Sequence, residues 1–125
     1  MKKPIIHCYF LCYNEENILP HLLRYYSDFC EKVFIMDNMS TDNSHEIIKT
    51  FEKAEIIPYN SNNELRDDVY LMLKNNLWKK SRGVADYVIV GDADEFIYHP
   101  NLLVTLSLNV IVFEETEAVI RALGV

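Results

Sequence analysis

A chain of 125 residues, half of them hydrophobic and a quarter charged, has the composition of an ordinary soluble globular domain. It is large enough for a real core but small for a complete nucleotide-dependent enzyme with two substrate sites. A formal charge of −7 with scattered basic residues argues against nucleic acid as a partner, because phosphate contacts need clustered Lys and Arg. The three cysteines, Cys8, Cys12 and Cys30, lack C-x-x-C spacing, so they imply neither a zinc site nor a disulfide framework and read as buried reduced thiols.

In chain order, Met1-Lys2-Lys3 and the apolar run behind it resemble a signal peptide only faintly, since His7 interrupts the run and no small-residue cleavage site follows. Ile5 to Leu11 is instead a first strand, ending at Cys12-Tyr13-Asn14-Glu15-Glu16. Asn17 is the expected N-cap of a helix whose apolar stripe is Leu22, Leu23, Tyr26 and Phe29, with Pro20 in the first turn, where its missing N–H is not needed. Glu15 and Glu16 read as acids that favour the start of this helix. Lys32 to Asp37 is the second strand, and Asn38 to Ser44 supplies caps for a second helix carrying Ile47, Ile48 and Phe51, with Asp42 as a cap.

Glu55 to Tyr59 reads as a third strand, followed by a long helix with Leu65, Val69, Met72, Leu73 and Leu77 on one face, ended by Ser81-Arg82-Gly83. Ala85 to Gly91 is the fourth strand, with Tyr87 to Val90 apolar as in a strand buried on both faces. It runs into Asp92-Ala93-Asp94-Glu95. In extended backbone Asp92 and Asp94 point to one side with Cα atoms roughly 6.5 Å apart, so both can address one ligand, and a hard divalent cation is the natural partner of acids gathered there. Beyond Asn101, Leu102 to Leu108 reads as a helix, Val110 to Phe113 as a fifth strand, and Glu114 to Leu123 as a final helix capped by Gly124. The stretch Leu102 to Phe113 is too short and too polar to span a bilayer, so a cytoplasmic protein, or one peripheral to the membrane, is expected.

Strands and helices alternating with short connections imply an α/β fold with a parallel sheet flanked by helices, whose ligands bind beyond the carboxyl ends of the strands. Cys12 to Glu16, Asp37 to Asp42, Tyr59 to Asn63 and Asp92 to Glu95 all fall at that edge. The only glycines are Gly83, Gly91 and Gly124, which leaves no G-x-G-x-x-G and no phosphate loop, and no G-x-S-x-G elbow is present. Phosphates would have to be held through a metal.

Cys12-Tyr13-Asn14-Glu15-Glu16, Phe34-Ile35-Met36-Asp37-Asn38-Met39-Ser40-Thr41-Asp42 and Gly91-Asp92-Ala93-Asp94-Glu95-Phe96 resemble, in order, the three opening motifs of family 2 type glycosyltransferases with the GT-A fold. The resemblance covers about residues 5–101, the nucleotide-binding half of such an enzyme, so the chain reads as one truncated domain, with 102–125 a tail. It implies that Tyr13 and Asn14 line the pocket of the nucleotide base, and that Asp37 hydrogen-bonds uracil or ribose. It further implies that Asp92 contacts the ribose or a metal-bound water, and that Asp94, with Asp92, holds Mn²⁺ or Mg²⁺ bridging the two phosphates. The donor implied is a nucleotide-diphosphate sugar, UDP-sugar first, and the acceptor is an unknown saccharide, lipid or protein. Family members carry Asp-Gly where this chain has Asn38-Met39, and their catalytic base lies in an acceptor half that has no counterpart here.

From its place one turn into the third helix, Arg66 is the candidate phosphate contact. His99 reads as a loop residue, and Glu114, Glu115 and Glu117 as surface acids. Two competing readings are a domain that binds nucleotide sugar without transferring it and a metal-dependent phosphoryl-transfer domain, the second disfavoured by the acidic charge.

Overall fold

The computed structural model describes residues 4–62, 67–94 and 119–122. The chain forms β1 (Ile6–Cys12), α1 (Leu19–Ser27), β2 (Lys32–Asp37), α2 (Ser44–Lys49), β3 (Ala54–Pro58), α3 (Asp67–Asn76), a 3₁₀ turn (Leu77–Ser81), β4 (Tyr87–Asp92) and β5 (Val119–Ala122). The five strands make one sheet in the order β3-β2-β1-β4-β5. The first four are parallel, and β5 runs antiparallel to β4. Among the described residues no helix is long and apolar enough to cross a membrane.

Strand periodicity sorts the core into two layers. Ile6, Cys8, Phe10 and Cys12 of β1, with Val33 and Ile35 of β2, pack with Leu19, Leu22, Leu23 and Tyr26 of α1 and Ile48 of α2. The alternate residues, Tyr9 of β1, Phe34 and Met36 of β2 and Val88 and Val90 of β4, pack with Leu73 of α3 and Trp78 of the 3₁₀ turn. This burial on both faces is why β1 and β4 read as unbroken apolar runs rather than alternating ones.

The strand and helix order of the sequence holds, with differences at the edges. No side chain caps α1: its N-cap is Ile18, and the Glu15 carbonyl accepts the Ile18 and Leu19 amides at 3.1 and 3.0 Å, so a backbone turn replaces the expected Asn17 cap. The N-cap of α2 is Asn43 rather than Asp42 and makes no side-chain cap bond, while Asp42, one residue earlier, accepts the Ser44 amide on Oδ1 at 2.9 Å. Met72 is 55% exposed and lies off the buried face of α3 on which Leu73 sits. Gly83, at φ +81°, supplies the left-handed turn that ends the helical segment.

The largest correction is at the C-terminus. Residues 119–122, expected as part of a helix over Glu114 to Leu123, form β5. β4 pairs with β1 along one edge only, and Val119 to Ala122 fill the other with main-chain partners for Tyr87 to Val90. That non-local pairing outweighs local helix propensity. The strand expected at Val110 to Phe113 lies outside the described residues.

Candidate functional site

The chain leaves β1 toward β2 and β3 on one side, then returns to lay β4 on the other side of β1. The strand order thus reverses between β1 and β4, and a crevice opens at their carboxyl ends. An open cleft of about 260 Å³ lies there, lined by residues that include Cys12, Tyr13, Glu15, Tyr59, Asp92 and Asp94. The register fixes the carboxylates to this rim: Asp92 pairs with Leu11, and the Ala93 amide bonds the Leu11 carbonyl at 2.8 Å. β4 ends at Asp92, so Ala93 and Asp94 sit in a turn rather than in extended backbone. Ala93 turns into the core and Asp94 is exposed, and both carboxylates still line the one cleft.

Glu15 is a third acid in that cleft. Burial first, and then the charges of Asp94 and Asp42, push its carboxyl above the usual range. The sequence reading placed Glu15 at the ligand edge but gave its charge to the start of α1; in the structure its carbonyl accepts the Ile18 and Leu19 amides and the residue lines the cleft. Tyr59 and Tyr70 close the cleft on the α3 side, their rings edge to face at 6.4 Å. Burial, followed by Tyr70 and the nearby Asp37, raises the Tyr59 hydroxyl far above its ordinary value, so it stays a donor. Tyr70 carries no sequence signal beyond its place in a helix.

Asp37 is placed differently. It shares strand parity with Val33 and Ile35, so it turns to the α2 layer, whereas Asp92 shares parity with Val88 and Val90 and turns the other way. The Asp37 side chain is 1% exposed. Its Oδ2 accepts the Ser40 amide at 3.0 Å and lies 2.6 Å from His45 Nε2, and its Oδ1 accepts the Ser40 hydroxyl at 2.5 Å. Cys12, beside it in register, has its thiol pushed up to about 12 by burial and then by the Asp37 carboxylate. Asp37 thus organises the loop after β2 from within.

Asn14 also faces that loop. At φ +49° it donates its amide N–H to Ser40 Oγ at 2.9 Å, and its Oδ1 accepts the Thr41 amide at 2.7 Å and the Asp42 amide at 3.3 Å. The Glu16 amide bonds Asp42 Oδ2 at 3.1 Å. The loops after β1 and β2 are stitched together along this line. Of the residues singled out in sequence, Tyr13, Asp92 and Asp94 meet in the cleft, Asn14 and Asp37 lie behind it, and Arg66, Glu95 and His99 fall outside the described residues.

Similarity to solved structures follows this architecture. The chain superimposes on glucosyl-3-phosphoglycerate synthase from Mycobacterium tuberculosis, solved with Mn²⁺, UDP and glucosyl-3-phosphoglycerate, at a TM-score of 0.52 and 16% identity over 82% of this chain and 38% of that one. The same enzyme in complex with phosphoglyceric acid gives 0.55 and 18% over 84% and 39%. Mannosyl-3-phosphoglycerate synthase from Rubrobacter xylanophilus gives 0.50 and 15% over 80% and 34%. The fold is that of the GT-A glycosyltransferases.

The chain spans little more than a third of the length of these structures. No family model matches it, and no curated protein matches either. The acids of the cleft lie at the carboxyl ends of parallel strands, at the point where the strand order reverses.

Proposed function

We propose that this chain is the donor-binding part of a glycosyltransferase, holding a nucleotide-diphosphate sugar, UDP-sugar first, in the cleft between the ends of β1 and β4. The observation that carries the reading is the convergence of Asp92, Asp94 and Tyr13 on one cleft at the topological switch point. The acceptor class, whether saccharide, lipid or protein, is left open by the same residues.

The donor set suits Mn²⁺ or Mg²⁺. Among the described residues no group of three or more His, Cys, Asp and Glu side chains could hold a metal by itself. Such a cation is commonly bound through one or two carboxylates with phosphate oxygens completing its shell. Asp94 and Asp92 would be those carboxylates, with Glu15, whose carboxyl is raised first by burial and then by the charges of Asp94 and Asp42, in the same cleft. When bound, the metal neutralises charge developing on the diphosphate leaving group.

The remaining parts belong to the chain itself. Tyr13, 49% exposed on the cleft wall, offers a ring face to the base. The Tyr59 hydroxyl, kept protonated, offers a hydrogen bond to a phosphate or ribose oxygen. Asn14 and Asp37 keep the two loops in place, so that any contact they make with uracil or ribose comes second to that role. Arg66 remains the proposed phosphate contact from its sequence position.

Calorimetry tests the reading. UDP and UDP-glucose should bind with Mn²⁺ present and weaken at least tenfold without it, and Asp94→Asn should abolish the metal dependence; equal affinity with and without Mn²⁺ overturns the proposal. The same cleft also serves a domain that binds donor without transferring it. Sugar release or transfer by the chain, measured after binding is established, separates the two.

A further inference from the structure

The sulfur atoms of Cys8, in the middle of β1, and Cys30, between α1 and β2, lie 2.8 Å apart in the buried core. Both are free thiols, 0% and 1% exposed, and both belong to the layer between the sheet and α1. We propose that Cys8 and Cys30 form a disulfide-bonding pair, a modification site that ties the end of α1 to the central strand.

The geometry comes from the backbone. Cys30 is held from both sides: its own amide bonds the Tyr26 carbonyl at 2.8 Å, and the next amide, of Glu31, bonds the Ile6 carbonyl at 2.9 Å. Cys8 is fixed by the ladders to β2 and β4, opposite Val33 and Ile89. A disulfide bond of ~2.05 Å therefore requires the sulfurs to close by less than an ångström. Cys12 is excluded as a partner of Cys8, since four residues along the same strand separate them by roughly 13 Å.

The chemistry is exchange with a small disulfide such as oxidised glutathione. One protein thiolate attacks a glutathione sulfur and releases one glutathione thiolate; the second protein thiolate then attacks the protein sulfur of the mixed disulfide and releases the other. The two cysteines lose two electrons and two protons, and one oxidised glutathione becomes two reduced ones. Burial and the contact with Cys30 push the Cys8 thiol well above its ordinary value. In the native state exchange is consequently slow, and it proceeds through opening of the α1 layer or during refolding, when both sulfurs reach solvent. Once formed, the bond links residues 22 positions apart and restricts the unfolded chain.

The test uses the whole chain, refolded from denaturant with either reduced or oxidised glutathione and then alkylated under denaturing conditions. After oxidation, peptide mapping should find Cys8 linked to Cys30 with Cys12 alkylated, and the melting temperature should rise by roughly 10 °C. Cys12→Ser should oxidise in the same way, and Cys30→Ala should show neither the link nor the rise. Alkylation of all three cysteines after refolding in oxidised glutathione, or a link through Cys12, overturns the proposal.

Discussion

His45 Nε2 lies 2.6 Å from Oδ2 of Asp37, joining the second turn-side residue of α2 to the last residue of β2. The carboxylate is buried and the imidazole is 40% exposed, so the pair bridges the core and the surface beside the cleft rather than within it. With the two Ser40 bonds, it makes Asp37 the internal anchor of the loop after β2.

Asp37→Asn should therefore be costly to the fold. Hydrogen bonds to a buried carboxylate contribute more than neutral ones, and the partly exposed His45 lowers the value of the ion pair, so a loss of about 3 kcal/mol is expected. Urea unfolding measures it. If the anchor role dominates, UDP affinity below the transition should fall less in Asp37→Asn than in Asp94→Asn.

Asn14 holds an αL backbone and, at once, hydrogen bonds to Ser40, Thr41 and Asp42. Asn14→Ala loses the side-chain bonds and strains the backbone, whereas Asn14→Gly loses the bonds alone. Thermal unfolding should place alanine below glycine by roughly 1 kcal/mol, the reverse of their order in a helix. The inverse ranking would show that the φ of this residue is not what constrains it.

His7 sets a pH dependence. It is 5% exposed, with Nδ1 2.8 Å from Ser81 Oγ, which also meets the Tyr9 hydroxyl. Burial lowers its pKa below the ordinary 6.5; Glu31 opposes this, while Lys32 and Lys80 reinforce it. The unfolded chain therefore binds the proton first, so the contribution of His7 is intact above about 6.5 and is lost as pH falls from there through the lowered folded value. Chemical denaturation between pH 7.5 and 5 should show a steeper loss of stability for the wild type than for His7→Gln.

Glu15→Gln should act in opposite directions on the empty and the loaded cleft. Removing a charge that faces Asp94 relieves repulsion and should raise the melting temperature by a degree or two in chelator, on the order of 0.5 kcal/mol. With UDP present, Mn²⁺ affinity followed by electron paramagnetic resonance should fall severalfold, and less than in Asp94→Asn. A rise in Mn²⁺ affinity would remove Glu15 from the neighbourhood of the cation.

Much of this protein is legible in its sequence. The β1 and β4 runs, the polar ends of β1 and β2 and the acids after β4 are local patterns, and each lies within a residue or two of its place in the structure. The face on which a strand-end side chain emerges is also a matter of parity, but parity has meaning only once each face has a covering helix. Asp37 and Asp92 share a rim in sequence and lie in opposite layers in space because α2 covers one face and α3 the other. Glu15 reached the cleft through a backbone turn that no residue type marks, and the sulfurs of Cys8 and Cys30 meet across 22 positions without any spacing motif.

The sequence by itself determined the α/β alternation and the chemistry at the strand ends, since hydrophobic period and residue type act over a few neighbouring residues. Only the tertiary structure decided the strand order, the use of residues 119–122 as an antiparallel edge and the gathering of Asp92, Asp94, Glu15 and Tyr13 around one cleft. Those depend on main-chain hydrogen bonds and burial between segments distant in the chain, which the order of residues implies but does not display.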